Sequence, residues 1–195
     1  LVDWDLDIVV GRHGEIEGHA NAYMARCVAQ MDLFRRQPDK KLLSRSQRVI
    51  EFLTKEDGLE INGACGYMEC WQNTQQGFFA LGETCATAYF IRLLDRMLRL
   101  NGDAQYGDLM ERAIYNALFA AQSPDGRRIR YYVPLEGDSK YFKEDTFCCP
   151  NNFRRIIAEL PTMIYYRSGS GLAINLFTTS TANVDLGGGL SVSVR

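Results

Sequence analysis

Apolar residues recur at three- and four-residue steps along most of the chain, and this spacing predicts a mainly helical protein. Asn101-Gly102 is a typical helix stop, and Ser123-Pro-Asp-Gly126 is a typical turn. Helix pairs joined by long loops favour a toroid whose loops gather functional residues at one end. The predicted helices cover about residues 17–36, 41–54, 83–100, 106–121 and 151–165.

The pattern changes from helical to alternating near residue 165. Strands are predicted over residues 128–133, 173–177 and 190–194, and a glycine-rich stretch separates the last two. The sequence therefore predicts a helical part over residues 1–165, followed over residues 166–195 by the start of a truncated β-sandwich domain.

Composition excludes several classes of protein. The 195 residues are 46% hydrophobic and 24% charged with a net charge of −2, which is typical of a globular protein of one or two domains. The chain has no long basic run that would indicate a nucleic-acid binder, and no apolar stretch of about 20 residues that could span a membrane. It starts without Met and stops in a strand-like run, so we expect a fragment of a longer protein. The oligomeric state stays open.

Six cysteines do not form a small-domain disulfide framework. Free thiols and metal binding fit a reducing compartment, which favours a cytoplasmic location.

Two cysteine-containing segments carry the candidate chemistry. Cys148 and Cys149 are adjacent, and a disulfide between them would strain the linking peptide. With Glu83 and Cys85 they offer three thiols and one carboxylate, a full tetrahedral ligand set for zinc. Both segments are predicted at helix starts, where partial positive charge favours anionic ligands. The alternative is that these cysteines are small buried hydrophobic residues and that Glu83 is an N-cap acid.

Several linked motifs resemble glycoside hydrolase family 127, the β-L-arabinofuranosidases and their relatives. The resemblance covers about residues 15 to 178. It implies the later part of an (α/α)6 barrel followed by the first strands of a β-sandwich. The motifs stand in order as Gly82-Glu-Thr-Cys-Ala-Thr-Ala88, Tyr106-Gly-Asp-Leu-Met-Glu-Arg-Ala-Ile-Tyr-Asn116, Ser123-Pro-Asp-Gly126, Tyr131-Tyr-Val-Pro-Leu-Glu136 and Cys148-Cys-Pro-Asn-Asn-Phe-Arg154.

The resemblance also implies a mechanism, namely retaining, zinc-dependent hydrolysis that releases β-linked L-arabinofuranose from a carbohydrate substrate. Cys148 matches the nucleophile, and Glu69 is the best match for the acid/base residue if a short deletion separates it from Glu83. The matched zinc ligands are Glu83, Cys85, Cys148 and Cys149.

Other residues have weaker signals. His19 matches a family histidine that faces the sugar, although a histidine at a helix start is often a cap. Tyr131 and Tyr132 would alternate across a strand, so we expect Tyr132 to contact the sugar and Tyr131 to pack. Trp71 fits sugar stacking or the core equally. Packing is expected for Cys27, Cys65 and Cys70.

Three alternatives remain open at this point. The same mechanism could act on another furanoside-like sugar, since substrate contacts from outside this chain cannot be read. A non-catalytic helical domain could hold a structural zinc and need no Glu69. A redox role for Cys148 and Cys149 would require a vicinal disulfide and leave Glu83 and Cys85 unexplained.

Overall fold

The computed structural model describes residues 16–75, 79–137, 140–143, 146–169 and 171–195. Residues 1–15, which the domain prediction includes, lie outside this part. The described chain is mainly helical and carries two small antiparallel strand pairs. Its elements are α1 (Ala20–Phe34), α2 (Lys41–Lys55), α3 (Thr84–Asn101), α4 (Ala104–Arg112), α5 (Cys148–Glu159), β1 (Tyr165–Ser168), β2 (Gly171–Ile174), β3 (Ala182–Gly187) and β4 (Leu190–Val194).

Helices α1 and α3 pack side by side and run in the same direction. Near their starts, ligand atoms of His19 and Glu83, the residues at the two N-cap positions, lie within 4.8 Å of each other. At the other end, Arg96 Nε lies 3.3 Å from Asp32 Oδ1. The helix length from the first contact to the second is the same in α1 as in α3. Both helices therefore start at the same end of the molecule.

Helix α5 runs parallel to α3 on another side. Cys85 Sγ and Cys149 Sγ lie 3.2 Å apart at their first turns. Farther along, Arg99 Nη2 donates to the Thr162 carbonyl at 3.0 Å, in a short 3-10 helix (Leu160–Met163) that extends α5. The positive ends of both helix dipoles therefore face the same place.

Helices α2 and α4 return in the opposite direction. Trp71 contacts both Tyr23 in the first turn of α1 and Phe52 near the end of α2. Only Gly102 and Asp103 separate α3 from α4, and Gly102 has the left-handed φ of 72° that ends α3. The loops that precede α3 and α5 both lie at the end where α1, α3 and α5 begin, as the sequence predicted.

Helix α3 forms the centre of the core and packs against α1, α4 and α5. A bidentate pair from Arg92 to Glu159, with both distances 2.8 Å, ties α3 to α5. The fully buried apolar side chains of α3 include Phe90, Ile91, Leu93 and Leu94.

The fourth predicted helix is continuous in the structure but combines three helix types. It continues from α4 as a π-helix (Ala113–Leu118) and then a 3-10 turn (Phe119–Ala121). Gly63 packs where the π-helix begins, and a Cβ there would lie 2.8 Å from the Ala113 nitrogen. The close approach of this loop therefore requires glycine at position 63.

Two predicted elements differ from the structure. Residues 128–133 form isolated bridges to Gln122, Glu83 and Tyr141 instead of a strand, because the bridging partner changes along the segment. The last helix starts at Cys148, three residues before the prediction, and ends before Pro161, which cannot donate a helical hydrogen bond.

The C-terminal strands pair as two hairpins. β1 pairs with β2, and β3 pairs with β4. β4 was predicted correctly, whereas β2 starts two residues and ends three residues earlier than predicted. β1 and β3 were missed, since the first follows the predicted end of a helix and the second lies in the stretch interpreted as a glycine-rich separator. Within the described residues, no helix is long and apolar enough to cross a membrane.

Hairpin β1–β2 is anchored to α3 through a buried carboxylate. Asp95 accepts hydrogen bonds from the Tyr166 hydroxyl and Arg99 Nε, both at 2.8 Å, and from Arg96 Nη1 at 2.9 Å. Asp95 is only 2% exposed. Because hydrogen bonds to a charged group are stronger than neutral ones, the Tyr166 bond contributes to the stability of the fold.

We predict that Tyr166→Phe lowers the free energy of unfolding by about 1.5–3 kcal/mol, because it removes a donor from a buried carboxylate. Tyr165→Phe is the matched control, since the half-buried Tyr165 hydroxyl hydrogen-bonds another hydroxyl, Ser180 Oγ at 2.8 Å, instead of a buried carboxylate. Urea unfolding of both variants measures the difference. Equal losses would contradict the anchoring role of Asp95.

Candidate metal and active site

The segment before α3 forms a tight turn that positions Glu83 and Cys85. Gly82 has a φ of +62°, and a Cβ at this position would lie 2.9 Å from Ala64 Cβ. The Thr84 amide donates to the Tyr131 carbonyl at 2.9 Å. Glu83 occupies the N-cap position, but its side chain makes no capping hydrogen bond. The interpretation of Glu83 as an N-cap acid is therefore wrong.

Helix α5 presents the cysteine pair at its first two positions. Cys149 is buried and faces Cys85, whereas Cys148 is exposed. The two adjacent thiols thus differ sharply in their access to solvent, and only one of them can meet a dissolved substrate.

Four acidic side chains converge between the starts of α3 and α5. One ligand atom from each of Glu83, Cys85, Cys148 and Cys149 lies within 4.8 Å of the other three. Cys149 Sγ lies 3.8 Å from Glu83 Oε1, in addition to its 3.2 Å contact with Cys85 Sγ. The sequence predicted this grouping of residues.

The pKa values within the group are strongly shifted. The hydrogen bond from Cys149 lowers the pKa of Cys85 to about 6, and the same bond raises that of Cys149. Burial, then the charge of Cys85, raises the pKa of Glu83 to about 9. Burial also raises the pKa of Cys148. One thiolate thus opposes ionisation of its neighbours, and a cation would relieve this repulsion.

The group fits a thiophilic dication. Glu83 is 1% exposed, and its Oε2 atom is buried without a hydrogen-bond partner in the described structure. A buried carboxylate oxygen without a partner is costly, and metal coordination would satisfy it. Three sulfur atoms and one oxygen are donors that zinc accepts. The structure therefore contains residues that could hold a metal ion.

Glu69 lies beside this group in an unusual turn. Tyr67 and Cys70 exchange backbone hydrogen bonds, and the two residues between them, Met68 and Glu69, have φ values of 47° and 68°. This is the pattern of a type I′ turn, which Asn-Gly favours, so the non-glycine pair is strained here. The Ala20 amide donates to the Glu69 carbonyl at 2.8 Å, which fixes the turn to the start of α1.

The Tyr131 hydroxyl connects Glu69 to the cysteine pair. It donates a hydrogen bond to Glu69 Oε1 and lies 3.6 Å from Cys148 Sγ. His19 Nε2 lies 3.7 Å from Glu69 Oε2, and His19 Nδ1 accepts from the Ala22 amide as the N-cap of α1. The expectation that Tyr131 only packs is wrong, because its segment is not a regular strand that would turn alternate residues apart.

Tyr132 also borders the site. Its backbone bridges Glu83, and burial, then the charges of Glu69 and Glu83, raises its pKa to about 12. Trp71 packs edge-on against Tyr23 and Phe52, which is a packing role.

The three remaining cysteines have different environments. Cys27 and Cys65 are buried, as expected, but Cys70 is exposed in the turn beside Glu69. The packing role predicted for Cys70 is therefore wrong.

Comparison with known proteins identifies the family. Residues 12–162 match the family model described as "Beta-L-arabinofuranosidase, GH127 catalytic domain". The chain belongs to glycoside hydrolase family 127. A sequence relative, the non-reducing end β-L-arabinofuranosidase of Bifidobacterium longum subsp. longum, is 30% identical over 130 residues, which cover 58% of this chain and 20% of that enzyme.

Solved structures of the family are similar to this chain. A β-L-arabinofuranosidase from Geobacillus stearothermophilus T6 matches with a TM-score of 0.82 and 27% identity, over 94% of this chain and 32% of that one. A second family 127 β-arabinofuranosidase matches with a TM-score of 0.79 and 26% identity, over 90% and 29%. The chain therefore spans about a third or less of these relatives.

Glu60 is a buried acid of this family 127 chain that sequence reasoning missed. It is 2% exposed, and neither carboxyl oxygen has a side-chain hydrogen-bond partner in the described structure. Its Oε2 would lie 3.4 Å from a Cβ at Gly82, so the Glu60 side chain packs against the turn that precedes Glu83. Burial raises its pKa to about 7, and the Gly82 backbone opposes the shift. Glu60 follows an apolar residue in a loop, and nothing in the local pattern indicates burial.

We predict that Glu60→Gln stabilises the metal-free chain at pH 8 by on the order of 3 kcal/mol. The pKa of this acid rises on folding from 4.5 to about 7. Its contribution to stability is fully present below pH 4.5 and is lost as the pH rises through about 7. Urea unfolding at pH 4.5 and pH 8 should show the advantage of the variant only at pH 8.

The control for this prediction is Glu111→Gln, which changes an exposed carboxylate on α4. It should leave the pH dependence of unfolding unchanged. A Glu60→Gln chain with the pH dependence of the wild type would contradict the buried, proton-binding state of Glu60.

Proposed function

We propose that this chain is part of a retaining, zinc-dependent glycoside hydrolase that releases β-linked L-arabinofuranose. Cys148 would be the nucleophile and Glu69 the acid/base residue. One observation carries the proposal: the Tyr131 hydroxyl hydrogen-bonds Glu69 and contacts the exposed Cys148 beside a buried group of metal-binding residues. Family membership and the β-L-arabinofuranosidase activity for which two relatives are named support the substrate class.

The helical part would be the later portion of an (α/α)6 barrel. Its support is the alternation of α1, α3 and α5 in one direction with α2 and α4 in the other, which is the arrangement of inner and outer helices. Residues 166–195 would begin a β-sandwich domain. The proposed boundary falls within β1, whose Tyr166 is buried against α3. The first hairpin would therefore pack on the barrel at the end opposite the helix starts.

Glu83, Cys85, Cys148 and Cys149 would hold the zinc ion. When bound, zinc would supply the positive charge that keeps the thiols deprotonated at neutral pH. The low pKa of Cys85 supports this assignment, because one thiolate forms readily even without a metal. The unpartnered Glu83 oxygen would complete the ligand set.

Hydrolysis would proceed in two steps. First, Cys148 Sγ forms a bond to the anomeric carbon while the bond to the leaving oxygen breaks, and the Glu69 carboxyl gives that oxygen its proton. Next, the Glu69 carboxylate takes a proton from water, whose oxygen bonds to the anomeric carbon as the carbon–sulfur bond breaks. Two displacements at one carbon retain its configuration.

Tyr131 would orient both reacting groups. Burial, then the hydrogen bond to Glu69, raises its pKa, so the phenol keeps its proton and stays a donor at neutral pH. A donor in this position would fix Oε1 of Glu69, so that Oε2, which lies 3.7 Å from His19 Nε2, would face the leaving oxygen. His19 and Tyr132, at the margin of the site, are proposed to contact the sugar.

A structural zinc site is the second candidate function, since four protein ligands are typical of closed sites. The exposure of Cys148 and its contact with the Tyr131 hydroxyl favour the catalytic role instead. Another furanoside-like sugar also remains compatible with the same residues, because this chain spans only about a third or less of its relatives' length. A cytoplasmic location stays a prediction from the free thiols.

We predict one zinc ion per chain, and Cys85→Ala should lower the occupancy at limiting zinc by at least about tenfold, because the ion loses one of its four ligands. Elemental analysis after gel filtration measures the content. Cys27→Ala is the matched control, since it removes another fully buried thiol on α1. Equal zinc contents in the two variants would contradict the proposed ligand set.

Glu69→Gln should lower turnover of an aryl β-L-arabinofuranoside by about 100- to 10,000-fold, because glutamine can neither give nor take the proton. Zinc content should not change, because Glu69 is not a ligand in the proposal. Glu136→Gln, an exposed carboxylate in the nearby loop, is the control. A Glu69→Gln protein with normal turnover would remove Glu69 from the mechanism.

A further inference from the structure

Asn152 contacts the thiol cluster, which consists of Cys85, Cys148 and Cys149. Neither the proposed ligand set nor the proposed mechanism uses this residue. The residue is 7% exposed and lies one turn along α5 from the cysteine pair. Its Nδ2 atom lies 3.2 Å from Cys85 Sγ, while its Oδ1 atom is buried without a partner in the described structure. A buried amide oxygen without a partner is costly, so packing alone does not explain an asparagine at this position.

The three thiols of the cluster have different neighbours. Cys85 is fully buried and receives the Asn152 amide. Cys149 is also buried and lies between Cys85 and the Glu83 carboxylate. Cys148 is exposed and faces the Tyr131 hydroxyl. The amide N–H therefore selects one sulfur of the three.

An N–H donor affects a thiolate in two ways. It stabilises the negative charge on sulfur, and it fixes the direction in which the sulfur lone pairs point. Hydrogen bonds to metal-bound ligands orient those ligands and change the electronic properties of the metal. Cys149 and Asn152 lie on successive turns of α5, so the same helix positions the donor and a neighbouring ligand.

We infer that Asn152 is a positioning residue that holds Cys85 as a permanent thiolate ligand. In this role it would leave Cys148, which faces the Tyr131 hydroxyl instead of a buried amide, as the sulfur that attacks the sugar. The inference rests on the proposed function, since it assigns different roles to the proposed zinc ligands. It concerns binding of the metal and requires no further reactant.

The test compares Asn152→Asp and Asn152→Ala with the wild-type chain. Aspartate has nearly the same shape but places an acceptor oxygen against the sulfur, and alanine removes the group entirely. Zinc affinity is measured by competition with a chromophoric chelator. Cobalt(II) is then added to metal-free protein, and its sulfur-to-cobalt charge-transfer absorption reports directly on the bound thiolates.

We expect both variants to bind zinc about 10- to 100-fold more weakly and to shift the cobalt charge-transfer band, because loss of the donor changes the charge on Cys85 sulfur. Asn151→Ala is the matched control. This neighbouring asparagine donates to the Thr146 carbonyl at 3.2 Å instead of a sulfur, so its affinity and band should match the wild type.

Two results would overturn the inference. One is wild-type affinity together with an unshifted band in both variants. The other is weakened binding in Asn152→Asp that is matched by loss of the metal-free fold, measured by urea unfolding, which would make the role merely structural. If the wild-type chain takes up no cobalt at the cysteines, the proposed zinc centre fails as well, which separates that failure from a failure confined to Asn152.

Discussion

Mutual repulsion among four acidic side chains is the constraint on which this site depends. Glu83, Cys85, Cys148 and Cys149 present ligand atoms within 4.8 Å of one another, and three of these residues are buried. They cannot all be ionised in the absence of a compensating charge, as the raised pKa values of Glu83 and Cys149 show. Two helix dipoles offset part of this repulsion. A dication would offset the remainder, and this supports the proposed metal site.

The parallel direction of α1, α3 and α5 brings these groups together. Each of these helices contributes candidate site residues from its first turn or its N-cap, and the described parts of the long loops before α3 and α5 lie at the same end. The stabilising contacts lie farther along the helices, away from the candidate site. They are the apolar core of α3, the Arg92–Glu159 pair and the hydrogen bonds to Asp95. The stabilising contacts and the candidate site thus occupy different parts of the same helices.

The sequence predicted most helices because their apolar periodicity is strong, and it predicted the four candidate ligands because a cysteine pair and a Glu-x-Cys segment are unusual. The prediction from sequence failed for residues whose environment depends on tertiary contacts. Tyr131 was assigned to packing because alternation was assumed for a segment that bridges several partners. Burial of Glu60 and the contact of Asn152 with Cys85 depend on distant segments, so local pattern could not indicate them. β3 was missed because glycines follow its short alternating run.

X-ray absorption at the zinc K-edge of the purified, zinc-loaded chain tests the central claim most directly. The account predicts one zinc ion with three sulfur neighbours at about 2.3 Å and one oxygen neighbour at about 2.0–2.2 Å. A Cys148→Ala chain should lose one sulfur from this shell and keep the other two. A shell of only nitrogen and oxygen, or a chain that retains no zinc, would contradict the metal–thiolate centre and the mechanism built on it.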